Sequence, residues 1–138
     1  MDQQIPPQRR IVNGYRDLFV WQRAMDLVVE AYRLTDAFPQ QEKYGLAQQL
    51  RRASVSVPSN IAEGHGRDHL GDYLHHLSIA TGSLMEVETQ VLIAGRMAYL
   101  RKEDEVRILS HAGEVSRMLS GLTRALKKRK FSRALPST

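Results

Sequence analysis

The spacing of apolar residues is the feature that most restricts the fold of this chain. Apolar side chains recur at alternating intervals of three and four residues in one long segment, at Leu70, Tyr73, Leu77, Ala80, Leu84, Val87, Val91, Ala94 and Ala98. This spacing places them in one stripe along an α-helix. No segment alternates apolar and polar residues with a period of two. The sequence therefore predicts an all-α protein without a sheet.

Three other segments show the same helical spacing. The first starts at Asp17, ends at Phe38-Pro39 and carries the stripe Leu18, Trp21, Met25, Val28, Tyr32 and Thr35. The second runs from Pro39 through Leu50 and Ala53 toward Ile61. The long segment is the third helix, and Asp68 is its predicted N-cap. The fourth begins near Glu103, with inward residues Ile108, Ala112, Val115, Leu119, Leu122 and Leu126.

Four amphipathic helices with short connections predict an up-down-up-down four-helix bundle, because the three-four spacing packs neighbouring helices nearly antiparallel. The predicted division of the chain is a flexible arm at 1–14, the bundle at 15–126 and a basic C-terminal tail at 127–138. The third helix has apolar residues outside its main stripe, at Leu74, Met85 and Leu92. Such a surface needs a cover, so we expect self-association, as a dimer or a closed ring.

Composition limits the classes of function. The chain of 138 residues is 42% hydrophobic, which suffices for one domain with a core. It has no cysteine, which rules out disulfides, thiolate metal sites and cysteine nucleophiles and favours a cytoplasmic location. The opening MDQQIPPQRR lacks an apolar signal region, and no apolar run exceeds four residues. The sequence thus predicts neither secretion nor a membrane span.

The net charge of +5 is concentrated at the C-terminus. Residues 124–138 contain six cations and no acid, while residues 1–123 carry 14 basic and 15 acidic groups; the six are Arg124, Lys127, Lys128, Arg129, Lys130 and Arg133. One interpretation is an arm that follows a phosphate backbone; the other is a solubilising end that complements the negative pole of a helix. Arg51 and Arg52, with Arg9 and Arg10, extend the patch in the first interpretation and are solvated surface in the second.

The stretch SVPSNIAEGHGR, residues 56–67, raises the question of an active site or a joint. Pro58 removes a helical hydrogen bond at a cost of roughly 3 kcal/mol, which predicts a kink or break. Asn60, Glu63, Gly64 and Arg67 share one helical face, and Glu63 and Arg67 form an i,i+4 pair. The structural interpretation is a joint fastened by the amide and the ion pair, with Gly64 permitting close backbone approach.

The catalytic interpretation fails on spacing. His65 and His69 lie four residues apart, but Gly66 stands where a zinc peptidase motif requires glutamate. A di-iron bundle needs two Glu-x-x-His motifs, and the chain has only Asp72-x-x-His75 and a reversed His111-x-x-Glu114. There is also no nucleophile elbow and no phosphate-binding loop with lysine. We therefore expect no catalytic residue, metal or cofactor.

Three segments resemble a known family: YRDLFVWQRAMDLV, FPQQEKYGLAQQLRRASVSVPSNIAEGHGR and LSIATGSLMEVETQVLIA. They resemble the bacterial four-helix bundle proteins encoded within intervening sequences of large-subunit ribosomal RNA genes. Val87 replaces the leucine usual in the family's SLxELE pattern. The family is also similar to the accessory variability determinant of diversity-generating retroelements, a basic pentameric bundle that binds nucleic acid and associates with a reverse transcriptase.

The resemblance implies a homopentamer and a nucleic-acid-binding helper rather than an enzyme. On this hypothesis the tail binds RNA or DNA through phosphates without sequence preference and helps a reverse transcriptase or an RNA-processing partner. The resemblance gives Pro58, Asn60, Glu63, Gly64 and Arg67 the role of a structural signature of the fold. The alternative is a scaffold ring that binds a protein partner and has no nucleic-acid role.

Overall fold

The structure is a computed structural model that describes residues 12–134, with side chains described up to Arg129. It contains four α-helices and no strand within that range, which confirms the predicted all-α class. The helices are α1 Phe19–Thr35, α2 Leu46–His65, α3 Leu70–Arg96 and α4 Lys102–Ala134. Single 3-10 turns at Tyr15–Asp17 and Gln40–Glu42 precede α1 and α2.

Each helix packs against two neighbours, which confirms the up-down-up-down bundle. The backbone of α2 lies against α1 and α3 and that of α4 against α3 and α1, while the diagonal pairs have no Cα atoms within 8 Å of each other in the described part of the chain. The predicted core stripe of α3 is confirmed from Leu77 to Ala94. On α4, Ile108, Ala112, Val115, Leu119 and Leu126 are buried as predicted. Burial of each large side chain contributes roughly 1.5–3 kcal/mol.

The apolar stripe predicted for the first helix is not its main core face, although Leu18 and Trp21 of that stripe pack against the core while partly exposed. Met25 and Tyr32 are exposed, and only Thr35 of that stripe is fully buried. The core face lies one residue earlier, a rotation of about 100°, at Val20, Ala24, Leu27, Ala31 and Leu34. Its alanines let the neighbouring helices approach closely, whereas the larger residues of the other stripe remain at the surface.

Pro58 does not break its helix. Residues on both sides of it belong to α2, and the proline ring is buried inside the bundle. Of the predicted kink or break, the break was therefore wrong, because packing on both sides holds the helix together despite the missing donor. The predicted N-cap of α3 was also wrong: His69 occupies that position and makes no capping side-chain bond.

α4 continues through the predicted start of the basic tail at residue 127 and ends at Ala134. Leu126 is buried against the bundle, and lysine and arginine are good helix formers that also complement the negative end of a helix. The described residues do not include 1–11, which contain Arg9 and Arg10, or 135–138. The side chains of Lys130 and Arg133 also lie outside the described part.

The bundle has two ends, which we name by their contents. The joint pole contains the α2–α3 connection, the start of α1 and the C-terminal end of α4. The aromatic pole contains the α1–α2 and α3–α4 connections, where the rings of Phe38 and Tyr99 lie 5.6 Å apart. There the hydroxyl of Tyr99 donates to Glu42, and the other carboxylate oxygen of Glu42 accepts from the backbone N–H of Leu46 at the start of α2.

Candidate nucleic-acid interface

The last turns of α4, residues 124–134, form a surface that we call the basic end. Arg124, Lys127, Lys128 and Arg129 are all exposed there. α4 has no acidic residue after Glu114. Among the described residues, no carboxylate forms an ion pair with any of these four cations. The positive charge of the basic end is therefore not neutralised within the described part of the chain.

In the first half of α4, by contrast, charged side chains form ion pairs with α1. Arg23 of α1 donates two hydrogen bonds to Glu114, at 3.1 and 2.9 Å. These bonds lower the pKa of the Glu114 carboxyl and raise the pKa of Arg23. Glu30 of α1 accepts from Arg107 and contacts the imidazole of His111 at 2.8 Å. Arg107, His111 and Glu114 of α4 are thus paired with α1, whereas the cations of the basic end have no such partner among the described residues.

A shallow groove of about 370 Å³ between α3 and α4 leads to the basic end. Its polar lining consists of hydroxyl groups and two cations: Ser78, Thr81, Ser120, Thr123, Arg124 and Lys127. We call it the α3/α4 groove. Hydroxyl, arginine and lysine side chains are the groups with which proteins contact phosphate and sugar. The sequence analysis missed the hydroxyls, because their convergence depends on how two helices are paired.

The side chain of Tyr73 on α3 lies near both Arg129 of the basic end and His65 at the end of α2. Burial raises the pKa of its phenol to about 12, and the positive charge of Arg129 opposes that increase. The same ring lies 5.7 Å from the ring of His65 at the end of α2. The basic end therefore lies beside the start of α3 and the end of α2.

The signature residues of α2 lie at its interface with α3. The side-chain amide of Asn60 donates to the carbonyl of Ser56 at 2.9 Å, and its oxygen lies 3.1 Å from Nδ1 of His76. The hydroxyls of Ser56 and Ser83 share a hydrogen bond of 2.7 Å across the same helices. Asn60 thus links α2 to α3 through His76, a partner that the sequence analysis missed.

Gly64 and the ion pair complete the joint. A Cβ atom on Gly64 would lie only 2.8 Å from the Cβ of His76, so α2 and α3 approach as closely as glycine permits. Arg67 donates to Glu63 at 2.7 Å, but both side chains are about half exposed. With Pro58 buried in α2, these residues form a closely packed junction between α2 and α3.

Arg51 and Arg52 do not extend the basic end. Arg51 donates to the hydroxyl of Thr35 at 2.7 Å and to Asp36 at 2.9 Å, at the end of α1. That places both arginines toward the aromatic pole, with 13 residues, or about 20 Å of helix, between Arg52 and the end of α2. The predicted continuous patch was therefore wrong for a single chain, since the antiparallel path of α2 separates its two parts.

The described residues contain no cluster of three or more His, Asp or Glu side chains arranged to hold a metal ion. His75 and His76 lie next to each other, but only His76 bonds Asn60 in the joint. None of the described helices combines the length and apolarity required to cross a membrane.

The fold and this site define a class: an all-α four-helix bundle with a tightly packed α2–α3 joint and an unpaired basic end. The chain belongs to the family of 23S rRNA-intervening sequence proteins, whose sequence profile matches residues 16–121. The match includes the joint and ends before the basic end. The curated proteins give no significant match.

Solved structures support the same fold. One is a protein of unknown function from the S23 ribosomal protein family of Bacteroides thetaiotaomicron, with a TM-score of 0.71 and 21% sequence identity. The alignment covers 75% of this chain and 97% of that protein. At this identity the likeness establishes the four-helix architecture alone.

Proposed function

We propose that this protein is a cytoplasmic, non-enzymatic accessory protein that binds RNA or DNA through phosphates without sequence preference. The observation that carries the proposal is the set of unpaired, exposed cations at the basic end, next to the hydroxyl-lined α3/α4 groove. The family's association with ribosomal RNA agrees with a role on nucleic acid.

The binding mechanism follows from electrostatics. Cations that neutralise phosphates release condensed counterions, so affinity depends strongly on salt. Arg124 and Lys127 lie where the groove meets the basic end, and the hydroxyls of Ser78 and Thr123 are placed to bond phosphate or sugar oxygens. The proposal assigns all of these groups to phosphate and sugar oxygens, which carry no sequence information, so we propose binding without sequence preference.

Assembly of several copies strengthens such binding. α3 exposes a set of apolar side chains outside the core, of which Met85 is 63% and Leu92 47% exposed. Self-association would cover them, and we propose a pentamer on the resemblance to pentameric bundles. Several basic ends on one ring raise the effective concentration of cations near a strand, and a reverse transcriptase or an RNA-processing protein is the proposed partner.

The test is fluorescence anisotropy of labelled single- and double-stranded RNA and DNA across a salt series. Truncation before residue 124 is unsuitable, because it removes the buried Leu126. The double variant Lys127→Gln/Lys128→Gln removes two exposed cations without that loss. Its matched control is Arg33→Gln/Arg96→Gln, which removes two exposed cations elsewhere on the bundle.

The proposal expects that only the first double variant weakens binding and flattens the salt dependence. Equal losses in both variants would mean that net charge, not the basic end, governs binding. No binding by the unmodified chain at low salt would favour the second candidate, a scaffold ring. That candidate is supported by the same exposed Met85 and Leu92, which offer a contact surface to a protein.

A further inference from the structure

A second surface with unpaired cations lies toward the aromatic pole, far from the basic end. The end of α1, the α1–α2 connection and the first turns of α2 enclose an open pocket of about 510 Å³. Two tyrosine rings and three cations line it, namely Tyr32, Tyr44, Lys43, Arg51 and Arg52. We call it the tyrosine pocket. Its volume is in the range of sites that hold small planar ligands.

The tyrosine rings are unusually accessible. Tyr44 is 80% exposed and Tyr32 is 42% exposed. Aromatic side chains usually bury most of their surface in cores or interfaces, so a nearly free ring gives up that stabilisation. No other large hydrophobic side chain in the described part of the chain is as exposed as Tyr44. The ring offers a face on which a planar group can stack.

The polar neighbours of the rings are held in place. Arg51 lies over the Tyr32 ring, 4.7 Å from its centroid, and is anchored by its bonds to Thr35 and Asp36. When the side-chain amide of Gln48 is oriented to satisfy both neighbours, it donates to the carbonyl of Tyr44 and accepts from Arg52, each at 3.2 Å. The pocket is therefore a preformed arrangement rather than a set of freely moving side chains.

The charges of the pocket favour an anionic ligand. Asp36 neutralises Arg51, but no ion pair engages Lys43 or Arg52 among the described residues. The ammonium group of Lys43 lies 5.6 Å from the centroid of the Tyr44 ring. Because this ammonium group lies over one face of the ring, a ligand that stacks on the other face has positive charge nearby. A planar aromatic group next to a negative charge matches that arrangement.

We propose that the tyrosine pocket binds a nucleotide of single-stranded RNA or DNA, with its base stacked on Tyr44 and its phosphate near Lys43 and Arg52. This inference rests on the proposed function and deepens it, because it gives the protein a preference for single strands. Bases in a duplex stack on each other and do not offer their faces, whereas unpaired bases stack on exposed aromatic side chains. The basic end binds either form through phosphates.

The basic end and the tyrosine pocket should differ in their preference for single strands over duplexes. Tyr73, near the basic end, and Gln90, level with the start of α2, are separated by 17 residues of α3, or about 25 Å. A single strand of ~20 nucleotides is long enough to reach both surfaces, and site sizes of up to ~16 nucleotides are known for single-strand binders. A duplex of the same length should bind through the basic end alone, because its paired bases do not offer a face to Tyr44.

The test measures anisotropy of a labelled single strand and a labelled duplex with the full chain. The variants are Tyr44→Ala, which removes the ring, and Tyr44→Phe, which keeps a stacking face. Val106→Ala is the control for loss of an exposed apolar side chain elsewhere, since Val106 is 56% exposed and lines neither the tyrosine pocket nor the α3/α4 groove. Since Tyr44 is mostly outside the core, its variants should fold, and circular dichroism checks this.

We expect Tyr44→Ala to weaken single-strand binding by about 5-fold or more, as stacking of one base implies. Duplex binding by Tyr44→Ala, and single-strand binding by Tyr44→Phe and Val106→Ala, should remain near the unmodified values. Equal single-strand affinity of Tyr44→Ala and the unmodified chain would overturn the inference while leaving the basic end untouched. Lys127→Gln/Lys128→Gln could retain single-strand binding while Tyr44→Ala loses it. In that case the basic end is not the main binding site, and the tyrosine pocket is supported.

A competition experiment separates nucleic acid from an acidic protein partner. Polyglutamate of the same charge carries anions but no planar base. If it displaces the single strand from the unmodified chain no better than from Tyr44→Ala, stacking is supported. If it binds through Tyr44 as tightly as the single strand, the pocket is a site for acidic peptides and the nucleotide proposal is wrong.

Discussion

Replacing Gly64 with alanine tests whether α2 and α3 are held at the close separation that the structure shows. The added methyl carbon would lie 2.8 Å from the Cβ of His76 and 3.0 Å from a ring carbon of Tyr73. The carbonyl oxygen of Tyr73 would lie 3.3 Å away. Nonbonded carbon atoms prefer separations of about 3.5–4.0 Å. Either the helices move apart or the two side chains leave their positions.

The expected magnitude combines two opposing contributions. Alanine stabilises a helix by about 1 kcal/mol relative to glycine, which would make the protein more stable. Overpacking of a close interface costs about 1–3 kcal/mol, and here one of the contacting atoms belongs to the backbone. We therefore expect the free energy of unfolding of Gly64→Ala to fall by about 1 kcal/mol, taking 2 kcal/mol as the overpacking cost.

The matched control is Gly82→Ala in α3. Gly82 is exposed, and no atom lies within 4 Å of the position of an added Cβ. This variant should therefore gain the full helix-propensity contribution of about 1 kcal/mol. Urea unfolding followed by circular dichroism, at one fixed protein concentration, measures both variants. The expected difference between them is about 2 kcal/mol, with Gly64→Ala the less stable.

Equal stability of the two glycine variants would refute the reasoning. That result would mean that α2 and α3 can separate at the joint without cost, so that the close approach at Gly64 contributes nothing to the fold.

Four further predictions concern single positions. Asn60→Ala should lower the free energy of unfolding by about 1–2 kcal/mol in urea denaturation, because the largely buried imidazole of His76 loses its partner. Glu63→Ala should cost only about 0.3–0.5 kcal/mol, since its ion pair is exposed; a loss as large as that of Asn60→Ala in thermal melting would contradict this order. Ala98→Gly should raise stability by about 1 kcal/mol, because Ala98 has a φ of 60°. The pKa of Tyr73, raised to about 12 from 10.0, predicts stabilisation that is complete below pH 10 and lost as the pH rises through 12; Tyr73→Phe should flatten that alkaline decline.

Local periodicity explains why much of the fold was predictable. The stripe of α3 from Leu77 to Ala94 is long and regular, and it faces the core as the sequence predicted. The first helix has two apolar stripes one residue apart, and spacing alone does not decide between them. The structure buries the stripe that contains Ala24 and Ala31, because small side chains fit the space between the neighbouring helices.

The candidate site was predictable only in part. Charge counting identified the six cations from Arg124 to Arg133, since a run without acids is visible in any linear sequence. The same counting joined Arg51 and Arg52 to that run, although α2 carries them toward the opposite end of the bundle. The hydroxyls of the α3/α4 groove were missed, because their residues are distant in sequence and converge only through helix pairing. The tyrosine pocket was missed, because Tyr32 meets the residues that follow Lys43 only when α1 packs beside α2.

The sequence by itself determined that this protein is a bundle of four helices with a basic C-terminal end. These properties follow from the spacing of apolar residues and from the local density of charge. The tertiary structure alone decided which face of α1 is buried, how closely α2 approaches α3 at Gly64, and that α4 remains helical through its basic end. Those outcomes depend on the shapes and register of neighbouring helices, which no single segment encodes.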